Sequence, residues 1–247
     1  MSPGWLTAQP FAHRGLHDAA AGVIENTGPA FEAAILGGYG IECDVQLSAD
    51  GEAMVHHDDA LGRLTQGNAR LNSLSAAELG RVPFKNGTGR ILTLGELCSL
   101  VGGRAPFLVE IKGHFDGDRR LVSRTAEVLR NYRGPVAAMS FDPGPIEALR
   151  SLAPSLARGI VAEHCYDHPE WSALGPSRKR ELANLLHWPS SRPDFIAYAG
   201  RDLPAVAPLA ARWLFGRPLL CWTIRSEMEH RRVRRWADQI IFEGFRP

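Results

Sequence analysis

The chain is predicted to fold as one α/β domain, a (β/α)8 TIM barrel with an insertion after its second strand, on three observations. Short apolar runs alternate with helix-like segments along nearly the whole chain. The runs are too uniformly apolar to leave a wet face, which calls for a parallel sheet covered by helices. Charged residues gather at the downstream ends of the runs, where a parallel barrel carries its site.

The runs fall at residues 11–13, 40–46, 106–111, 135–140, 158–161, 195–198, 219–224 and 239–242. Between them lie helix-like segments at 29–36, 94–101, 118–132, 143–152, 177–186, 205–215 and 227–236. Eight units of β followed by α close most simply into a barrel. One connection, about 47–90, is too long; it holds a strand-like stretch at 52–57 and a polar loop rich in Gly and Asn, read as a lid or substrate collar. With 247 residues and 45% hydrophobic content the chain can bury a large core, and barrels of this length are commonly one domain, here 1–247.

Composition narrows the function classes. A net charge of +1 provides no overall basic field of the kind that nucleic acid or an anionic membrane would need, so any attraction for an anion must be local. No run approaches the roughly 20 apolar residues of a membrane span, and residues 1–10 lack a secretory pattern, so a cytoplasmic protein is expected. Cys43, Cys98, Cys165 and Cys221 are far apart and form no C-x-x-C pair, and are expected to be buried reduced thiols. Oligomeric state is left open.

Strand period decides which charges meet. In Ile41-Glu42-Cys43-Asp44, Glu42 and Asp44 share a face and Cys43 takes the other; in Val109-Glu110-Ile111-Lys112, Glu110 and Lys112 share a face. The apolar alternates pack under the helices, so the charged pairs point to the barrel axis near its rim. Three carboxylates crowded there repel one another unless a divalent cation neutralises them, and all-oxygen ligation suits Mg²⁺, Ca²⁺ or Mn²⁺ better than zinc. The plainer reading is a set of ion-paired rim residues. One E-x-D supports either; E-x-D after His13-Arg14-Gly15 and before His57-Asp58 and Glu110-Ile111-Lys112 favours the metal.

That order of motifs closely resembles the glycerophosphodiester phosphodiesterase family. The resemblance is carried by His13-Arg14-Gly15, Glu25-Asn26-Thr27 with Ala30-Phe31 after it, Glu42 and Asp44, Asp50-Gly51, the stretch from His57 to Thr65, Thr93 to Glu96, Glu110 to Lys112, Ser140-Phe141 and Trp222 to Ile224. It runs over nearly the whole chain and is densest from His13 to Lys112. It implies a TIM barrel that hydrolyses glycerophosphodiesters to glycerol phosphate and an alcohol with one divalent cation. By the same resemblance the metal ligands fall on Glu42, Asp44 and Glu110, the catalytic histidines on His13 and His57, and the phosphate-binding cations on Arg14 and Lys112.

The chemistry calls for the same residue types. A phosphodiester is anionic and repels nucleophiles, so a metal and cations must gather its oxygens and stabilise the charge of the transition state. Arg14 suits this as a planar fork and Lys112 as a point charge. One histidine takes a proton from the attacking hydroxyl and the other protonates the departing alkoxide. The attacker is either the substrate's own neighbouring hydroxyl, giving a cyclic phosphate as the resemblance suggests, or a metal-bound water.

Each remaining residue has a plainer reading. His56 competes with His57 for the catalytic role, but the motif and the following Asp58, able to orient a ring, favour His57. Glu25 is held as a residue behind the site, with Asn26 or Thr27 as helix N-cap ahead of Pro29. Trp222 is either an apolar wall for the glycerol or ordinary packing. His17, His114, His164 and His168 are expected in rim loops, exposed or locally bonded, and Arg231, Arg232, Arg234 and Arg235 as a solvated helix face. The chain departs from the family pattern at Ile24, where a proline is usual, at Arg225, where Asn is usual, and at Phe242-Glu243, where Thr-Asp is usual. Arg225 and Glu243 are therefore candidates for the substrate pocket and for pairing across neighbouring strand ends.

Three functions stay in view. The first is the glycerophosphodiester hydrolase. The second is a lysophospholipase D or sphingomyelinase D-like enzyme, which needs an apolar trough that the polar stretch 61–85 does not make obvious. The third, a degenerate binding barrel, should have lost one of His13, His57, Glu42, Asp44 or Glu110, and all five are present.

Overall fold

The computed structural model describes residues 3–247. Its strands are β1 (Phe11–Ala12), β2 (Gly40–Leu47), β3 (Ala53–Val55), β4 (Leu92–Thr93), β5 (Phe107–Ile111), β6 (Val136–Ser140), β7 (Ala157–Ala162), β8 (Phe195–Ala199), β9 (Leu219–Ile224) and β10 (Gln239–Phe242). Its helices are α1 (Gly28–Leu36), α2 (Ala76–Leu79), α3 (Leu94–Val101), α4 (Arg120–Arg130), α5 (Pro143–Leu152), α6 (Pro176–Ala183), α7 (Trp188–Ser191), α8 (Val206–Phe215) and α9 (Glu227–Val233). β1 pairs in parallel with both β2 and β10, and the parallel chain β2, β5, β6, β7, β8, β9, β10 completes a closed eight-stranded (β/α)8 TIM barrel.

All eight expected barrel strands are present, shifted by a residue or two at their ends. Helix ends moved more: the segment read as 227–236 stops at Val233 and continues as a turn, with Trp236 N–H donating to Val233 O. The segment 177–186 becomes α6 from Pro176, followed by the unanticipated short helix α7. The two-residue strand β4 was not anticipated either. It exists because β3 folds back antiparallel on β2, with Val55 opposite Val45, and offers its free edge to Leu92 and Thr93. Thr93 then starts α3 with a capping box to Glu96.

Alternation along the strands sorts side chains between two cores. Ile41, Cys43, Val45, Phe107, Val109 and Ile111 lie outside the barrel against helices, in one cluster with Phe31, Leu94 and Leu97. Phe11, Leu108, Met139, Phe195, Leu220 and Ile241 point inward and fill the barrel, with Trp5 and Leu6 of the 3-10 turn Gly4–Thr7 packed in the same inner cluster. Glu42, Asp44 and Glu110 have the inward parity and sit above this plug. The insertion forms a third cluster of Ile24, Met54, Leu61, Leu71, Leu79, Phe84 and Ile91. Its apolar side chains are turned into that cluster, so the collar carries its own small core. All four cysteines are free; Cys43 and Cys221 are buried, Cys98 half-buried, and Cys165, against the expectation of burial, is exposed. None of the described helices is long and apolar enough to cross a membrane.

Candidate active site

Two tight turns build the floor of the site. After β1, Arg14 adopts a left-handed φ of 56° and Gly15 one of 81°. A Cβ on Gly15 would lie 2.8 Å from the carbonyl carbon of Ala30, so α1 can approach the turn only because this residue is glycine. Asn26, also left-handed at 56°, donates its backbone N–H to Arg14 O at 2.9 Å, which ties the loop before α1 to the turn. Of the two expected caps, Thr27 takes the N-cap position, and its hydroxyl donates to Ile24 O. The Asn26 amide instead donates to Asp44 Oδ2 at 2.9 Å, while its carbonyl accepts from the Asp44 N–H at 3.3 Å. Sequence reading missed this role, and the Glu-Asn-Thr motif was the available signal.

Glu42, Asp44 and Glu110 are all buried, and one oxygen of each lies within 4.8 Å of the others. In register, Asp44 stands opposite Glu110 across β2 and β5. Two cations serve them unevenly. Lys112 Nζ contacts Asp44 Oδ1 at 2.6 Å and also bonds Glu110 Oε1, and the Arg14 guanidinium lies 3.3 Å from Asp44 Oδ2. Burial disfavours the Asp44 charge, but Lys112, His57, Arg14 and His13 outweigh it and hold the carboxyl well below its usual range. Lys112 is likewise held above the usual lysine range, since Asp44 and Glu110 outweigh its burial. Glu42 has the opposite fate. Its Oε2 accepts from the Arg14 N–H at 2.9 Å, but its buried Oε1 has no partner among the described residues. Burial, then Asp44, then Glu110 push its carboxyl well above 4.5. An all-oxygen set with an orphaned buried oxygen and an excess of negative charge fits a hard divalent cation.

Both expected histidines reach this cavity, and each presents the same nitrogen. His13 Nδ1 donates to Glu243 Oε2 at 2.5 Å, and His57 Nδ1 donates to Asp58 Oδ1 at 2.8 Å. A carboxylate only accepts, so in each ring the proton stays on Nδ1 and Nε2 is left for chemistry. His13 Nε2 lies 3.9 Å from Glu42 Oε2. Burial, stronger than the opposing bond to Glu243, lowers the His13 pKa below 6.5. His56 is buried outside the cavity lining, which His57 joins. Gln46 holds the carbonyl of His57 with a 2.9 Å bond from its amide.

The supporting charges form one chain around the cavity. Arg63 donates to Asp58 and to Glu25, and Arg14 donates to the same Glu25 at 2.8 Å. Burial raises the Glu25 pKa, but Arg63 and Arg14 outweigh it and bring the carboxyl to about 2. Glu25 therefore holds Arg14 and Arg63 and stands behind the carboxylate trio. On the opposite rim Arg225 pairs with Glu243 Oε1 at 2.7 Å, as its strand-end position suggested. What sequence reading did not see is that the other oxygen of Glu243 holds His13, or that His17 approaches the same carboxylate at 3.8 Å. His17 was expected to be exposed or locally bonded, and its Nε2 is in fact buried beside the site.

The cavity has a volume of ≈ 810 Å³. Opposite the carboxylates its wall is aromatic: Phe141 stands edge-on to Trp222 at 5.3 Å and packs on Trp171 at 4.9 Å. Trp222, placed inward by strand period, donates its indole N–H to Ala197 O at 3.0 Å. Glu163 is buried beside this wall and accepts from Trp171 at 2.5 Å and Arg201 at 2.6 Å. His114 and His168, exposed in rim loops as expected, also line the cavity.

Oxygen donors for a hard cation beside paired imidazoles, at the strand ends of a TIM barrel, place the chain among the phosphoric diester hydrolases. It belongs to the glycerophosphoryl diester phosphodiesterase family, whose model matches residues 13–242. A glycerophosphodiester phosphodiesterase of Caldanaerobacter subterraneus is 33% identical over 246 residues, which cover 93% of this chain and 91% of that protein. One from Bacillus altitudinis is 29% identical over 171 residues, covering 65% and 69%. The fold is shared with an Oleispira antarctica phosphodiesterase solved with the product sn-glycerol-3-phosphate, at TM-score 0.76 and 22% identity over 95% of this chain and 92% of the other. A Thermotoga maritima glycerophosphodiester phosphodiesterase gives TM-score 0.71 and 24% identity over 94% and 92%.

Proposed function

We propose that the protein hydrolyses glycerophosphodiesters to glycerol phosphate and an alcohol, with one divalent cation, Mg²⁺ or Ca²⁺, and with His13 and His57 as base and acid. The observation that carries this reading is the pairing of two carboxylate-oriented imidazoles with a buried trio whose Glu42 oxygen lacks a partner. Glu42, Asp44 and Glu110 would hold the cation, which supplies Lewis-acid polarisation of a phosphate oxygen when bound. Three carboxylates against Arg14 and Lys112 leave one excess negative charge. A divalent ion turns that into one positive charge, which a phosphodiester monoanion neutralises. Lys112, which now contacts Asp44 and Glu110, would be available to a phosphate oxygen with those carboxylates holding the cation, and Arg14 would offer its fork to another.

His13, whose burial keeps it neutral, takes the proton of the attacking hydroxyl at Nε2, and Glu243 steadies the imidazolium that forms. His57, whose Nδ1–H stays on Asp58, enters the step as the imidazolium and gives its Nε2 proton to the departing alkoxide. Trp222 and Phe141 wall the cavity for the carbon skeleton of the substrate, while Glu25 keeps Arg14 in place. Barrel and collar work as one domain, since Ala53 and Val55 of the collar join the outer barrel core and Ile24, ahead of α1, joins the collar's. A deacylated diester is favoured over a lysolipid because Leu61, Leu71 and Phe84 of the collar are spent on that core and form no acyl trough. A coupled glycerol-phosphate assay across diester headgroups and lysolipids, with each metal, tests the reading. Release of glycerol phosphate with Mg²⁺ or Ca²⁺ is expected, and turnover confined to lysolipids would transfer the chain to the second class.

A further inference from the structure

Opposite the active site, the ends of α7, α8 and α9 carry an aromatic belt that the reaction does not use. In a barrel of this kind the helices run antiparallel to the strands, so their C-terminal ends lie at the face where strands begin. Trp188 of α7 packs on Phe215 of α8 at 5.6 Å, and Trp213 of α8 on Trp236 after α9 at 6.2 Å. Leu214 stands between these pairs with 77% of its surface in water, and Trp213 and Phe215 are both exposed. Three consecutive exposed large apolar residues are unusual on a surface without a partner.

The rim of this belt is basic. Arg192 ends α7, Arg234 and Arg235 follow α9, all three are exposed, and the Arg235 guanidinium lies 4.9 Å above the Trp236 ring. Asp238 and Asp194, the acids nearby, are already held by Arg212 at 2.6 Å and by Arg158 at 3.9 Å. The chain as a whole is close to neutral at +1, so this is a local concentration of positive charge. A second copy docked on the same patch about a two-fold axis would bring arginine against arginine. A surface of apolar depth and negative charge fits both features: indole and leucine enter the headgroup boundary while guanidiniums meet lipid phosphates.

We propose that this belt and its arginines dock the protein on an anionic lipid bilayer, with the mouth of the cavity turned away toward water. The test is sedimentation of the whole protein with sucrose-loaded vesicles of phosphatidylcholine alone or mixed with phosphatidylglycerol. Binding to the mixed vesicles is expected, falling as salt is raised. Leu214→Glu should lower the partition coefficient by about tenfold or more. Arg234→Ala and Arg235→Ala should each lower it by about fivefold. None of these residues touches the cavity, so turnover of a soluble diester is expected to be unchanged and reports that the variants fold. Equal binding to both vesicle types, no binding at low salt, or a solution dimer that Leu214→Glu dissociates would each overturn the proposal; the comparison of vesicles needs no variant.

Discussion

If Glu42, Asp44 and Glu110 hold a divalent ion as proposed, removing it should loosen the whole barrel in a pH-dependent way, because these carboxylates are buried and crowded. Without it the Glu42 carboxyl is pushed well above 4.5 by burial, Asp44 and Glu110. Between 4.5 and that raised value the native protein keeps a proton that the unfolded chain has lost. The contribution of Glu42 to the stability of the chelated protein is therefore full at the acid end and falls as pH rises through the window, by at most about 1.4 kcal/mol per pH unit, while the lowered pKa values of buried His13 and His56 act with the opposite sign below 6.5. A cation that binds only the native trio replaces the proton, so the slope flattens. At a hundred times its dissociation constant it adds about 2.7 kcal/mol. For a chain of this size each kcal/mol moves the midpoint by about 2–4 °C, so chelation should lower Tm by about 5–11 °C. Thermal melts followed by circular dichroism, from about pH 5 to about pH 8, with chelator or with Mg²⁺ or Ca²⁺, measure both effects. Glu42→Gln should stabilise the chelated protein at the alkaline end and lose most of the response to the ion. Equal midpoints with and without the ion, or a Glu42→Gln variant whose chelated stability keeps the parent's dependence on pH, would refute the reasoning.

His13→Ala and His57→Ala should each reduce kcat by roughly 10² to 10⁴, with the double variant far less impaired than the product, since both act in one turnover; near-normal turnover in either removes that residue from the mechanism. Glu243→Gln keeps an acceptor for His13 Nδ1 but removes the charge, so kcat should fall about tenfold or more with KM little changed, and Glu243→Asp should recover part of the loss. Arg225→Asn, which removes only the exposed partner of Glu243, should leave Tm within about 1 kcal/mol equivalent of the parent; an unchanged kcat/KM ratio for choline and inositol diesters would deny it a part in specificity. Gly15→Ala should cost about 1–3 kcal/mol in urea denaturation, because its φ of 81° and the 2.8 Å approach to Ala30 leave no room for a methyl group.

Much of the site was legible because strand period is a strict rule. Once Glu42, Asp44, Glu110 and Lys112 were assigned to strands, their shared inward face followed from alternation alone, and the buried trio has that parity. Asp58 could be paired with His57 from adjacency. Glu243 could not be paired with His13, because 230 residues separate them and only barrel closure through β1 and β10 brings them together. The bond from Asn26 escaped for a related reason: a small polar residue before a helix looks like a cap, and nothing local shows that its amide is bound to Asp44. Cys165 was misplaced because a free cysteine is more often buried than not, whereas this one lies among Glu163, His164 and Asp167 on an exposed part of the connection after β7.

The sequence by itself determined the fold class, the eight barrel strands and the residues that carry charge to the rim, since these follow from local periodicity and from where apolar runs end. Tertiary structure alone decided which carboxylate His13 leans on, which acid of the trio is left short of a partner, and that Arg63 and Glu25 join the two halves of the cavity wall. Those facts are distances between side chains on different strands and loops. Period places a side chain on a face, but only the closed barrel, by its register and by the turns at Arg14 and Asn26, sets the few ångströms on which a proton transfer or a metal bond depends.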